Sequence, residues 1–217
     1  MSRVAVVLSG CGVYDGSEVY EAVCTLLALD KLDAQVQCFA PNIPQRKVIN
    51  HITGKEMAGE SRNVLVEAGR ICRGKIKDVA QANEADFDAL IVPGGFGAAS
   101  NLCDFAEKGA GCTVNKDFLE FAQAMHQAGK PIGLICIAPA MSAAICGEGV
   151  ECTIGNDPET AATLEKMGAQ HKECPVQEAH VDKQRKLVTT PAFMLAGRVS
   201  EAAAGIDQCV KQVLALT

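Results

Sequence analysis

The chain has no C-x-x-C pair and no Cys/His group at zinc spacing, although it holds 11 cysteines in 217 residues. That argues against a structural zinc site. The odd cysteine count in a chain this long argues against a disulfide-stapled secreted scaffold. The G-x-G-x-x-G dinucleotide pattern is also missing: Gly10-x-Gly12 is followed by Asp15, with Gly16 one position late, so no nicotinamide or flavin site is expected. Positive charge is not in excess. Twenty Lys and Arg stand against 26 Asp and Glu, a net charge of −6, so nothing draws the whole molecule to nucleic acid or to an anionic membrane. The one basic cluster, Arg70, Arg73, Lys75 and Lys77, lies among Glu67, Asp78 and Glu84 and reads as a solvated face. The longest uncharged window, 131–147, is too short and too rich in glycine and proline to span a bilayer. No basic leader or cleavage pattern stands before residues 4–8, which predicts a cytosolic location, although an organellar form trimmed of its leader reads the same way.

What remains is a soluble globular composition, 48% apolar and 21% charged, of a length that suits one domain over residues 1–217. Apolar runs of strand length recur at 4–8, 35–40, 88–92, 131–136, 150–154 and 186–190. Helical periodicity fills 17–29, 63–72, 116–128, 158–167 and 200–216. Strands alternating with helices predict an α/β fold, a mostly parallel sheet covered on both faces. Residues 41–87 exceed one crossover helix and predict an insertion after the second strand with its own helix or hairpin.

The stretch 131–140 is a wholly apolar run that ends on Cys136 and turns at once into a proline-led helix start. A buried parallel strand with a tight turn into a helix reads this way; Pro139 suits the first turn, where its missing N–H is no loss. Cys136 then sits at the carboxyl end of a strand, where open α/β sheets place their active sites. The next helix N-terminus favours its thiolate. An inert buried cysteine is the plainer account, and it serves for most of the other ten, but this junction makes Cys136 the candidate nucleophile.

Three more loops gather at the same edge. The glycine-rich loop 9–18 feeds a helix with Glu18 and Glu21 in its first turn, where both complement the dipole and one is available to face Cys136 as acid or base. The Pro93-Gly94-Gly95 turn exposes backbone donors, so the amides of Gly95 and Ile137 are candidate oxyanion donors, and Gly12 and Gly94 leave room for substrate beside the backbone. Residues 189–193 form a cleft rim. Of the four histidines, His51, His171 and His180 stand in loops or polar surroundings, and the sequence selects none of them to complete a triad.

Four segments taken together, 7–18, 91–99, 136–140 and 188–192, resemble the ElbB/ES1 proteins of the DJ-1/PfpI superfamily, which are related to class I glutamine amidotransferases. The resemblance runs nearly end to end and includes 48–51. It implies a flavodoxin-like doubly wound sheet, a nucleophile elbow at Cys136, and a carboxylate at Glu18 hydrogen-bonded to it. It further implies a glutathione-independent glyoxalase, a lyase that turns glyoxal into glycolate without metal or cofactor, with a small aldehyde as substrate and a homodimer as assembly. In that chemistry Cys136 forms a hemithioacetal whose oxygen meets the Gly95 and Ile137 amides, and Glu18 carries the proton. Many members follow the cysteine with histidine, whereas this chain has Ile137, and the position two before it, usually small, is Leu134. The alternatives are a redox-sensing protein with an oxidisable Cys136, or an amidotransferase-like partner subunit.

Overall fold

Apolar runs without polar alternation need cover on both sides, and four of them lie at the centre of one sheet. In the computed structural model, which describes residues 1–217, the strands are β1 (Arg3–Val7), β2 (Gln35–Ala40), β3 (Ile49–Asn50), β4 (Lys55–Glu56), β5 (Ile76–Asp78), β6 (Ala89–Val92), β7 (Ile132–Ile135), β8 (Glu151–Cys152), β9 (Gln170–His171), β10 (His180–Asp182) and β11 (Leu187–Thr190). The helices are α1 (Val19–Lys31), α2 (Val64–Ala68), α3 (Phe96–Ser100), α4 (Phe105–Lys108), α5 (Lys116–Gln127), α6 (Ser142–Cys146), α7 (Pro158–Lys166) and α8 (Val199–Ala215). The main sheet has seven strands in the order β10-β11-β7-β6-β1-β2-β5, parallel throughout except for β10. This is the flavodoxin-like, mostly parallel arrangement expected.

Successive residues of the central strands feed opposite layers, as a period of two requires. Ala5, Val7, Leu90, Val92, Ile132 and Leu134 pack with Phe118, Phe121 and Met125 of α5. Val4, Val6, Ala89 and Ile91 pack with Ala22 and Leu29 of α1 and with Ile206, Val210 and Val213 of α8.

Two runs depart from the sequence reading. Of 150–154, only β8 is a strand, paired with β9 outside the main sheet. The reason is competition for donors: Glu151 N–H goes to the Asp182 carboxylate (3.0 Å) and Thr153 N–H to the Thr189 hydroxyl (2.9 Å), so side chains take the place of a ladder. The insertion holds both a hairpin (β3–β4) and a helix (α2), and it also returns β5 to the sheet edge, a strand too short to show in the periodicity.

The hairpin is fastened to the loop after β1. Ile49 N–H donates to the Asp15 carboxylate at 2.7 Å, and Tyr14 N–H donates to His51 Nε2 at 3.2 Å. His51 Nδ1 lies 3.0 Å from the Ile49 carbonyl, which makes it the donor and defines the neutral Nδ1–H tautomer.

Helix α8 crosses the sheet at Gly205, where an added Cβ would stand 2.3 Å from the Val176 carbonyl oxygen and 2.7 Å from the Thr190 hydroxyl. In an open helix, Gly→Ala stabilises by about 1 kcal/mol. Here Gly205→Ala is expected to destabilise by about 1–3 kcal/mol through overpacking against backbone. Urea unfolding checks the sign, and a raised midpoint contradicts this account of the crossing.

Candidate active site

Strand β7 ends at Ile135, and Cys136 follows with φ +62°, a left-handed conformation that costs a non-glycine residue about 1–2 kcal/mol. The bend is held from both sides. Cys136 N–H donates to the Thr190 carbonyl at 2.9 Å, and the chain passes at once into a 3-10 turn over Ala138–Met141 with Pro139 near its start. The sharp elbow forms with Leu134 in place, because that side chain is wholly buried in the layer with α5 and not at the bend. The helix N-terminus expected to favour the thiolate does not follow directly: a 3-10 turn intervenes, and α6 is five residues and begins only at Ser142.

The sulfur sits against the β6 turn. A Cβ on Gly94 would lie 2.5 Å from the Cys136 Cβ and 2.9 Å from Glu21 Oε2, so only glycine lets these three groups meet. Gly95, with φ +94°, would put a Cβ 2.3 Å from the Glu18 nitrogen. The backbone amides of Gly95 and Ile137 both face the Cys136 sulfur closely enough to favour its thiolate, the convergence expected of an oxyanion-hole pair.

The carboxyl that meets the sulfur belongs to Glu21, whereas the sequence reading gave that place to Glu18. Glu18 is the N-cap of α1, and its side chain turns back to accept from Glu21 N–H at 2.7 Å. Glu21, one turn on, points inward and is fully buried. It accepts from Gly94 N–H (2.9 Å) and Phe193 N–H (3.2 Å) and hydrogen-bonds the Cys136 thiol. The signal was present in the sequence, since Glu21 continues the buried stripe of Thr25, Ala28 and Leu29 at helical spacing.

Burial raises the Glu21 pKa from 4.5 to about 7, against the pull of the Phe193 N–H. Burial also pushes the Cys136 thiol well up, with the Glu21 charge adding to it and the Gly95 and Ile137 amides opposing. Burial disfavours both charges, but the thiol is raised further than the carboxyl, so Cys136 keeps its proton and donates it to the Glu21 carboxylate. The Glu18 carboxyl is raised by burial as well, although three backbone N–H groups of the first turn hold it down.

Cys136, Glu18, Gly95 and Ile137 share the wall of a cavity of about 320 Å³ whose remaining lining is largely apolar, with Phe96, Phe105, Phe193 and Met194 prominent. Gly94 and Gly12, expected beside the substrate, do not line it. Gly94 spends its N–H on Glu21, and Gly12 is covered by His51, whose Nε2 would stand 2.5 Å from an added Cβ. Val13 lines the cavity in place of Gly12. No histidine faces it. His171 receives Ile154 N–H at 3.3 Å, and His180 pairs with Glu151 at 3.1 Å, both away from Cys136. Of 189–193, expected to form the rim, only Phe193 lines the cavity, joined by Met194.

The sequence signature of the DJ-1/PfpI family matches residues 4–195. The human glutamine amidotransferase-like class 1 domain-containing protein 3, mitochondrial, is 50% identical over 225 residues, covering 100% of this chain and 84% of that protein. The ES1 protein, mitochondrial, of Danio rerio is 32% identical over 209 residues, covering 89% and 77%. Among solved structures, an isoprenoid biosynthesis protein with amidotransferase-like domain from Ehrlichia chaffeensis superposes with a TM-score of 0.93 at 33% identity, covering 100% of this chain and 99% of that one. Drosophila melanogaster DJ-1beta, at 17% identity and a TM-score of 0.55 over 100% and 96%, shares the fold. Both sequence relatives carry the word mitochondrial in their names, so they lend no support to the cytosolic location expected from the sequence.

The buried carboxyl makes a signed prediction. With its pKa raised in the folded state, Glu21 keeps a proton there that the unfolded chain has lost, so unfolding free energy falls as pH rises from about 4.5 to about 7. Denaturant titrations across that window are expected to show the fall in the native protein and a flatter profile in Glu21→Gln. Equal slopes in the two proteins contradict the assignment.

Proposed function

The chain belongs to the DJ-1/PfpI family, and on that premise we propose that it is a glyoxalase-type lyase converting glyoxal and related 2-oxoaldehydes to 2-hydroxy acids at Cys136. The observation that carries this reading is the convergence of the Glu21 carboxyl and two backbone amides on the sulfur of a strained cysteine facing an apolar cavity.

The Cys136 thiol gives its proton to the Glu21 carboxylate as its sulfur adds to one aldehyde carbon of the substrate. The S–C bond forms, the carbonyl electrons move to oxygen beside the Gly95 and Ile137 amides, and that oxygen takes a proton to complete a hemithioacetal. Glu18, the carboxyl that lines the cavity, removes the proton from the hemithioacetal carbon to give an enediol and returns it to the neighbouring carbon, leaving a thioester of the hydroxy acid. Water then cleaves the C–S bond and restores the thiol, so that glyoxal plus water becomes glycolate and a proton. Glu21 thus handles the proton of sulfur and Glu18 the proton of carbon. Glutamine hydrolysis fits less well, because the residue after the nucleophile is Ile137 and no histidine lines the cavity.

Cys136→Ala is expected to reduce glycolate formation to the uncatalysed background, and Glu18→Gln to lower kcat on the order of 10²–10⁴-fold. Run in deuterated water, the native enzyme should place deuterium on the product carbon, because the proton held on the Glu18 carboxyl exchanges with solvent before it is returned. Full activity in Cys136→Ala ends the proposal; selective peroxide oxidation of Cys136 with no turnover replaces it with a redox sensor.

A two-carbon dialdehyde fills little of a 320 Å³ cavity whose wall is mostly hydrocarbon. An alkyl- or aryl-substituted 2-oxoaldehyde is therefore expected to exceed glyoxal in kcat/KM by about tenfold or more, the scale of one or two apolar groups buried. Steady-state kinetics on the two substrates decides, and a preference for glyoxal contradicts it.

A further inference from the structure

Far from Cys136, a second cavity of about 420 Å³ opens between α1, β2 and the turn after α2. Two thiols, Cys38 and Cys72, line it together, near enough to shift each other's acidity. Cys38 is buried in β2, while Cys72 is partly exposed in the turn that leads to β5. The register places Ile76 opposite Cys38, so the turn doubles back and carries Cys72 over the strand. The pair has a direction. Cys72 donates its own hydrogen to the Ala68 carbonyl at 3.3 Å. The neighbouring thiols shift each other in opposite directions, Cys72 down and the more buried Cys38 up, so the reachable sulfur is the more easily ionised one.

The rim is charged. Arg73 and Lys75 line the same cavity, and neither forms an ion pair, whereas the neighbouring Arg62 and Arg70 are engaged by Glu67. Asp30 is the single opposing charge. A second thiol pair, Cys103 and Cys112, makes a similar contact but lies beside cations already engaged: Lys108 binds Asp104 at 2.6 Å and Arg46 binds Glu107 at 2.8 Å. Only the first pair combines an attacking sulfur, a buried second sulfur and free positive charge in one cavity.

We propose that Cys38 and Cys72 form a thiol–disulfide exchange site for a low-molecular-weight anionic disulfide, closing to an internal disulfide between β2 and the turn after α2. The Cys72 thiolate attacks one sulfur of the bound disulfide; that S–S bond breaks and one thiol leaves with a proton. Cys38, losing its proton to solvent, attacks the Cys72 sulfur of the mixed disulfide and expels the second thiol. The balance is one small disulfide and two protein thiols to one protein disulfide and two small thiols. The sulfurs, which line one cavity, must draw together to an S–S bond of about 2.05 Å.

The test uses the whole chain and glutathione disulfide, with alkylation of remaining thiols and peptide mass mapping. The native protein is expected to show Cys38 linked to Cys72 before Cys103 is linked to Cys112, and Cys38→Ala to accumulate a glutathione adduct on Cys72. The double variant Arg73→Gln/Lys75→Gln should react several-fold more slowly with glutathione disulfide but at an unchanged rate with neutral bis(2-hydroxyethyl) disulfide. The proposal is overturned if Cys72 of the native protein stays open to alkylation while Cys112 or Cys136 has reacted. A missing adduct in folded Cys38→Ala overturns the direction of attack, and equal slowing with both disulfides overturns the anion preference. Mapping of the native protein needs no variant to fold.

Discussion

The carboxyl of Glu21 is the point on which the site hangs. One oxygen receives the amide of Gly94 at the end of the β6 turn, and the other receives the amide of Phe193 after β11. The same group touches the Cys136 sulfur after β7, and it rides on the helix that follows β1. The loops after four strands of the sheet are thereby tied by one fully buried side chain. An acid there meets a desolvation penalty that a neutral residue avoids, and the raised pKa records it. The group nevertheless satisfies two backbone donors that a hydrocarbon would leave unpaired. Chemistry and architecture share that carboxyl, which is why the strained left-handed bend at Cys136 has support on every side.

Much of this was legible in the chain. Residues 4–8, 35–40, 88–92, 131–136 and 186–190 became strands of one sheet because uninterrupted apolar runs leave no other way to bury both faces. Cys136 was visible because a strand, a cysteine and a proline-led turn follow one another without a break. The choice between Glu18 and Glu21 was less open to reading by position. Both stand in the first turn of α1, and a cap and an inward-facing acid look alike until one asks which shares a side with Thr25 and Ala28. Strand β5 and the shortening of the 150–154 run lay beyond reach for different reasons. Three residues are too few for β5 to show a period, and the 150–154 run loses its ladder to Asp182 and Thr189, side chains distant in sequence that take its backbone donors.

The cysteines divide by neighbourhood and not by number. Cys209 is wholly buried with its thiol pushed up to about 12, an inert core residue. Cys136 is held by a carboxyl and two amides, and Cys38 with Cys72 by each other. Three kinds of thiol thus coexist in one chain with no bridge among them, and what separates them is the identity of the nearest hydrogen-bond partner.

The hairpin of β3 and β4 adds one more layer to the site without touching the reacting atoms. Through Asp15 and His51 it braces the loop that presents Val13 to the cavity. The cavity wall is therefore shaped partly by an excursion some forty residues downstream, while sulfur and carboxyls are fixed by the sheet. Wall and thiol sit on separable pieces of chain. Changes within 41–63 can alter the shape of the cavity while the geometry of the elbow stays as it is.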